Sequence, residues 1–216
     1  MNGRFYPTRP LHVSIEGLPL CGKTRILQIL SESPNIKTIT NACPVGENVK
    51  GVNLIKKFEN KESGAAFQLI LLNIANFAKR ANSHSYRILV GENSLIGTFK
   101  TLVKSCENKG EINEIEKTIL ESLYSVLAGN LVAPPAVSIY VKVPPEVIVQ
   151  RIVGSGDVRN VEEIVQWITQ LHFCYEEWLQ LRGIFDPPVI EVNGTLDEIS
   201  LRREVQTIAE KLYEYL

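Results

Sequence analysis

The stretch His12-Val13-Ser14-Ile15-Glu16-Gly17-Leu18-Pro19-Leu20-Cys21-Gly22-Lys23-Thr24 decides the fold. A short strand pattern ends at Gly17, and a helical pattern runs from Thr24 to Leu30. The pattern Gly-x-x-x-x-Gly-Lys-Thr lies between them. When such a loop joins a strand to a helix, its backbone N–H groups cradle phosphate oxygens. The sequence therefore predicts a phosphate-binding loop between a first strand and a first helix.

Each part of this loop has an expected role in holding a nucleotide. Lys23 should reach the outer phosphates, and the Thr24 hydroxyl should bind Mg²⁺. Glu92 ends a predicted strand, where ligands of open α/β sheets bind, so its carboxylate could share that ion. A surface acid in a turn is the alternative for Glu92. The nucleotide-binding residues are expected to be Gly17, Leu18, Pro19, Leu20, Cys21, Gly22, Lys23 and Thr24.

The rest of the chain alternates between strand and helix patterns, which is typical of an α/β fold. Further strands are expected at 36–39, 86–90, 136–143 and 189–192. Helices are expected at 52–58, 64–80, 95–108, 112–128, 145–153, 161–180 and 197–215. This order predicts a parallel five-stranded sheet with helices on both faces. Because no linker or repeat is visible, residues 1–216 are predicted to form a single domain.

Composition narrows the possible partners and the compartment. The net charge of −1 provides no basic field for nucleic acid or an anionic membrane. No apolar run approaches the ~18 residues of a membrane span. Cys21, Cys43, Cys106 and Cys174 have neither disulfide-framework nor zinc-site spacing, which favours free thiols in a reducing compartment. We therefore expect a cytoplasmic protein.

Several short segments beyond the loop occur in a characteristic order. Phe67-Gln68 lies in a helical pattern, and Glu92-Asn93-Ser94 follows a strand. The segment 171–179 reads Leu-His-Phe-Cys-Tyr-Glu-Glu-Trp-Leu. From Gly17 onward this order resembles the deoxyribonucleoside kinases. The resemblance implies a P-loop kinase fold with a short lid, and transfer of the ATP γ-phosphoryl group, with Mg²⁺, to the 5′-hydroxyl of a deoxyribonucleoside. It also implies a homodimer packed through helices within 64–80 and 95–128, for which ordinary core helices are the alternative.

The resemblance assigns substrate and lid roles to particular residues. Gln68 would read the nucleobase edge through its amide, beside Phe67, although a polar residue on a buried helix is the alternative. Phe58 stands where the family has a tyrosine that holds the sugar. Arg151 and Arg159 would serve a lid at 153–160.

The departures from the family pattern fall on catalytic positions. Cys43 stands in place of the general base of Glu-Pro-Val, and Glu47, four residues on, is an alternative base. Asn93 replaces the arginine of Glu-Arg-Ser, and the lid offers only Arg159 with Arg151 just before it. General-base catalysis contributes about 10²–10⁴ in rate, and a well-placed arginine about 10³–10⁵.

Two hypotheses follow from these departures. One is a nucleoside kinase with weakened activity, and the other is a nucleotide-binding pseudokinase with an interaction or regulatory role. A nucleoside monophosphate kinase is less favoured, because few arginines are available for an acceptor phosphate.

Overall fold

The computed structural model describes residues 10–39, 62–80, 87–130, 132, 134–154, 161–183 and 186–216. Within these ranges five strands form one sheet, in the order β2-β3-β1-β4-β5, and every neighbouring pair is parallel. The expected parallel five-stranded sheet is thereby confirmed. The strands are β1 (Leu11–Glu16), β2 (Ile36–Ile39), β3 (Ile88–Glu92), β4 (Val137–Lys142) and β5 (Val189–Asn193).

Helices connect the strands, as the alternation predicts. The described helices are α1 (Lys23–Leu30), α2 (Ala65–Arg80), α3 (Leu95–Thr98), α4 (Lys104–Asn108), α5 (Glu114–Asn130), α6 (Pro145–Gly154), α7 (Val161–Gln180) and α8 (Glu198–Glu214). A π-helical segment, Phe99–Val103, joins α3 to α4. The helix expected at 52–58 lies outside the described residues. No helix in the described ranges is long and apolar enough to cross a membrane.

Most boundaries lie within one or two residues of the sequence prediction, and three differences have a structural explanation or lack a sequence signal. β3 runs to Glu92 because Gly91 and Glu92 still pair with β1, although neither residue favours a strand. The helix expected at 95–108 is interrupted by the π segment, for which the residue spacing gives no signal. α5 starts after Asn113, whose side chain accepts hydrogen bonds from the N–H groups of Ile115 and Glu116 at 3.0 Å.

The apolar core of the described residues consists of two clusters. Val13 and Ile15 of β1 belong to one cluster with α1 and α8, where Leu27 and Ile208 are buried. The second cluster joins α2 to α5 and includes the fully buried Ile70 and Leu120. Successive side chains of a strand point to opposite faces, so Ser14 and Glu16 lie on the face away from Val13 and Ile15.

That second face of β1 is polar although it is buried. Ser14 Oγ lies 2.9 Å from Ser138 Oγ of β4, and Glu16 is 1% exposed. Parallel strands buried on both faces are normally apolar. Helix α3 approaches this face at Gly97, where an added Cβ would overlap Glu16 Oε2. The close approach of α3 to β1 therefore requires glycine at 97.

We expect Gly97→Ala to lower the free energy of unfolding by about 1–3 kcal/mol, because the new methyl group would press on a buried carboxyl that cannot move into solvent. Gly154→Ala is the matched control, since it is also helical and has no atom within 4 Å of an added Cβ. Urea unfolding of both variants measures the difference. Equal stability of the two variants would contradict the close approach.

Candidate active site

The loop between β1 and α1 is shaped by positive φ angles and by its buried side chains. Gly17 has φ 144° and Gly22 has φ 107°. At Gly17 an added Cβ would lie 2.8 Å from both Cys21 Sγ and the carbonyl oxygen of Val141. Leu18 and Cys21 are buried, whereas Leu20 is 54% exposed. Two apolar side chains thus anchor the loop to the core, and only glycine fits at its first turn.

Three side chains donate hydrogen bonds to the backbone carbonyl groups of this loop. Lys23 Nζ donates to the carbonyl oxygens of Gly17 and Leu18, each at 2.8 Å. The hydroxyl of Tyr175 in α7 donates to the same Gly17 oxygen at 3.1 Å. Arg151 donates to the Leu20 carbonyl at 2.8 Å and to that of Gly194 at 3.0 Å. Arg151 therefore lies beside the loop, where its cation contributes to the positive potential.

The two residues expected to hold Mg²⁺ are in contact. Thr24 Oγ1 donates a hydrogen bond of 2.6 Å to Glu92 Oε1, across the carboxyl ends of β1 and β3. A hydroxyl and a carboxylate are the hard oxygen ligands that Mg²⁺ takes, and phosphate oxygens and water complete its shell. Within the described ranges no group of three or more His, Cys, Asp or Glu could hold a metal. The Thr24–Glu92 pair fits a magnesium ion shared with phosphate.

The start of α1 fits an anion. Gly22 precedes the helix and offers no capping side chain, and the first turn carries no acidic residue. The first N–H groups of a helix have no partner within the helix, and the helix dipole adds positive potential there. With Lys23 alongside, this end of α1 can bind the phosphates of a nucleotide.

Glu16 is a residue of the site that the sequence analysis did not single out. It is 1% exposed, and among the described residues neither of its carboxyl oxygens has a hydrogen-bond partner. Burial raises its pKa, and the nearby hydroxyls of Ser94 and Ser14 and the charge of Lys23 oppose that rise. The sequence did contain a signal for this residue. Ser14 and Glu16 are polar, whereas a central parallel strand is expected to be apolar on both faces.

A cavity of about 210 Å³ lies between the polar face of the sheet and helices α3 and α5. Its polar lining includes His12, Ser14, Asn93, Ser94 and Tyr124. Asn93 stands at φ 53°, and its N–H donates to the carbonyl of Ile15 at 2.8 Å, so it extends the β1–β3 ladder. The Asn93-Ser94 segment therefore lies next to β1, at the wall of the cavity.

The structure describes only some of the residues that are expected to bind substrate. Gln68 is exposed on α2, and Phe67 packs against the second apolar cluster. Neither is among the described residues that line the cavity. Their nucleoside-binding role stays a prediction. The remaining residues expected at the site lie outside the described residues; they are Cys43, Glu47, Phe58 and Arg159.

The strand order, the loop after the first strand and the Thr24–Glu92 pair define a nucleotide-binding protein with the P-loop kinase fold. The model of the deoxynucleoside kinase family matches residues 13–214, and the chain belongs to that family. Membership supports nucleotide use and nucleoside kinase activity in general terms.

Individual relatives are distant. "Thymidine kinase 2, mitochondrial" of Homo sapiens and that of Macaca fascicularis are each 22% identical over 178 residues, which is 80% of this chain. The match spans 66% of the length of each, just under two thirds.

Two solved structures of deoxyadenosine kinase from M. mycoides share the fold. One holds the products dCMP and a flexible dCDP; its TM-score is 0.70 at 17% identity, over 95% of this chain and 100% of that one. The other holds dCTP, with a TM-score of 0.70 at 19% identity, over 94% of this chain and 99% of that one.

We expect the carboxyl of Glu16 to contribute less stability to the folded protein as pH rises. Its folded-state pKa lies above the unfolded value of 4.5, so folding favours the protonated carboxyl. The stabilisation is complete below pH 4.5 and is lost as pH rises through the folded-state pKa. Glu16→Gln, which stays neutral, should therefore gain stability relative to the wild type across that range.

Urea unfolding at a series of pH values measures this difference. Glu210→Gln, at an exposed site on α8, is the control for replacing a glutamate with an amide. A Glu16→Gln difference that does not change with pH would show that the buried carboxyl is not the source.

Proposed function

We propose that this protein transfers the γ-phosphoryl group of ATP to the 5′-hydroxyl of a deoxyribonucleoside, with weakened activity. The observation that carries the proposal is the contact of 2.6 Å between Thr24 and Glu92 beside Lys23, in a chain of the deoxynucleoside kinase family. This contact supports the proposal because it brings an ammonium, a hydroxyl and a carboxylate together at the carboxyl edge of the sheet, where ligands of such sheets bind.

Different residues in and around the loop bind different parts of Mg-ATP. Lys23 leaves the carbonyl oxygens of Gly17 and Leu18 and contacts the outer phosphates. The loop amides and the start of α1 bind the phosphate oxygens. Thr24 and Glu92 hold Mg²⁺, which neutralises charge on the phosphates when bound. Arg151 steadies the loop at Leu20 and adds positive charge beside it.

The acceptor side rests on residues whose roles come from the family resemblance. Gln68, next to Phe67, reads the base, and Phe58 contacts the sugar. Glu47, or less favourably the thiol of Cys43, accepts the proton of the 5′-hydroxyl. Arg159, with Arg151, closes the lid over the transferring group.

A pseudokinase is the second candidate, and the Asn93 segment favours it. Asn93 is among the residues that line the cavity, and it stands where the family pattern has an arginine. An amide cannot supply the charge that stabilises a transferring phosphoryl group. In this case the protein would bind nucleotide without turnover and act through a partner.

Calorimetric titration with Mg-ATP, paired with labelled ATP and each of four deoxyribonucleosides, tests both candidates. We expect Lys23→Ala to weaken Mg-ATP binding roughly 10- to 100-fold, because a charged hydrogen bond to phosphate is lost. Lys211→Ala, an exposed site on α8, is the matched control and should bind normally.

Turnover by the wild type establishes the kinase, and Glu47→Gln and Cys43→Ser then locate the base. Binding without turnover establishes the pseudokinase. Failure of the wild type to bind Mg-ATP would refute both candidates.

We also propose a homodimer that packs through α5. Ile115, Ile119 and Val126 are 74%, 43% and 56% exposed. Their spacing of four and seven residues places them on one side of the helix. Such a stripe of apolar side chains suits packing against the same helix of a second copy.

We expect Ile119→Glu to convert the dimer to a monomer, because two carboxylates would face each other across an apolar contact. Sedimentation equilibrium measures the change. Phe173→Glu, at another exposed apolar site on α7, is the control and should stay dimeric. A wild-type monomer, or a dimer that survives Ile119→Glu, would rule out this interface.

The cytoplasmic location and the single domain over 1–216 stay predictions. Cys21, Cys106 and Cys174 are buried free thiols, which fits a reducing compartment.

A further inference from the structure

The carbonyl oxygen of Gly17 accepts two hydrogen bonds in this structure. Lys23 Nζ donates one at 2.8 Å, and the Tyr175 hydroxyl donates the other at 3.1 Å. A carbonyl oxygen has two lone pairs, so both of its acceptor positions are occupied. The two donors differ in one respect: Lys23 is expected to move when a triphosphate binds, and Tyr175 is not.

Tyr175 is fixed in place by its surroundings. It is 4% exposed, and its ring lies 5.6 Å from that of Tyr140 and 6.3 Å from that of Trp178, measured between centroids. The hydroxyl of Thr101, in the π segment, lies beside its own hydroxyl. Burial, with the neighbouring Glu16, raises the pKa of Tyr175 well above its ordinary value, so its hydroxyl keeps its proton. Tyr175 is therefore a rigid neutral donor beneath the loop.

The departure of Lys23 leaves Gly17 dependent on this one donor. Gly17 is buried, and a buried carbonyl without a donor is costly. With Tyr175 in place, Lys23 can turn to the phosphates while the Gly17 carbonyl stays bonded. Without it, Lys23 would be the sole donor in the empty protein, and nucleotide binding would break that last bond.

We propose that Tyr175 is a positioning residue for the phosphate loop, whose hydroxyl holds the Gly17 carbonyl when Lys23 turns from it to a bound triphosphate. The inference rests on the proposed binding of ATP. Tyr175 does not touch the nucleotide, and it acts through the loop backbone.

Tyr175→Phe should raise the Kd of Mg-ATP on the order of tenfold, because binding now strands a buried acceptor. The midpoint of thermal unfolding without nucleotide should change little, since Lys23 still bonds Gly17 in the empty protein. If the protein turns over, the KM for ATP should rise while kcat changes less. A loss of packing alone would instead lower the unfolding midpoint.

A double-mutant cycle with Lys23→Met isolates the effect. In the Lys23→Met background no lysine leaves Gly17 on binding, so adding Tyr175→Phe should leave the Kd unchanged. Tyr140→Phe is the matched control, because this neighbouring buried phenol donates to Glu176 Oε1, at 3.4 Å, and not to the loop. We expect it to leave the Kd unchanged. Competition with a fluorescent ATP analogue extends the measurement to weak binders.

The outcomes are distinct. A tenfold change that vanishes in the Lys23→Met background supports the inference. An equal change in both backgrounds, or no change in either, overturns it while ATP binding stands. Failure of the wild type to bind Mg-ATP overturns the proposed function, and this inference with it.

Discussion

The turn at Gly17 is the constraint on which the site depends. At this residue the chain leaves β1 with φ 144°, and the atoms of Cys21 and Val141 leave no room for a side chain. β1 lies between β3 and β4, so the loop projects from the middle of the sheet. Because the turn sets where α1 begins, it also sets where Thr24 meets Glu92. A different turn would separate the proposed phosphate site from the proposed metal ligands.

The cations around this turn are held by backbone carbonyl oxygens. Lys23 and Arg151 both donate to carbonyl oxygens of the loop or its neighbours, so neither cation requires a carboxylate partner there. A cation held by neutral carbonyls is more easily transferred to phosphate than one paired with an acid. Among the described residues Glu16 is the one buried acid near this turn, and burial raises its pKa, which disfavours a negative charge there. The loop is thus arranged to accept negative charge.

Local patterns predicted the fold because each depends on neighbouring residues. The glycines and Lys23-Thr24 identify the loop from sequence alone, and strand–helix alternation predicts the parallel sheet. The end of β3 was predicted too early because backbone pairing on both sides overrides the low strand propensity of Gly91. The Tyr175 contact joins residues 158 apart in sequence, so no local pattern reports it.

In the proposed site, the nucleotide side matches the family pattern, whereas the acceptor side departs from it. Asn93 illustrates the change, because asparagine tolerates the left-handed backbone at φ 53° and its N–H continues the β1–β3 ladder to Ile15. Asparagine therefore fits the local backbone, and it lacks the guanidinium that the family resemblance implies at this position. A lost arginine costs about 10³–10⁵ in phosphoryl-transfer rate. The groups proposed to hold the phosphates make other contacts: Lys23 donates to the carbonyl oxygens of Gly17 and Leu18, and Thr24 donates to Glu92. Nucleotide binding can therefore persist where turnover has declined, and this is why the two candidate functions differ on the acceptor side alone.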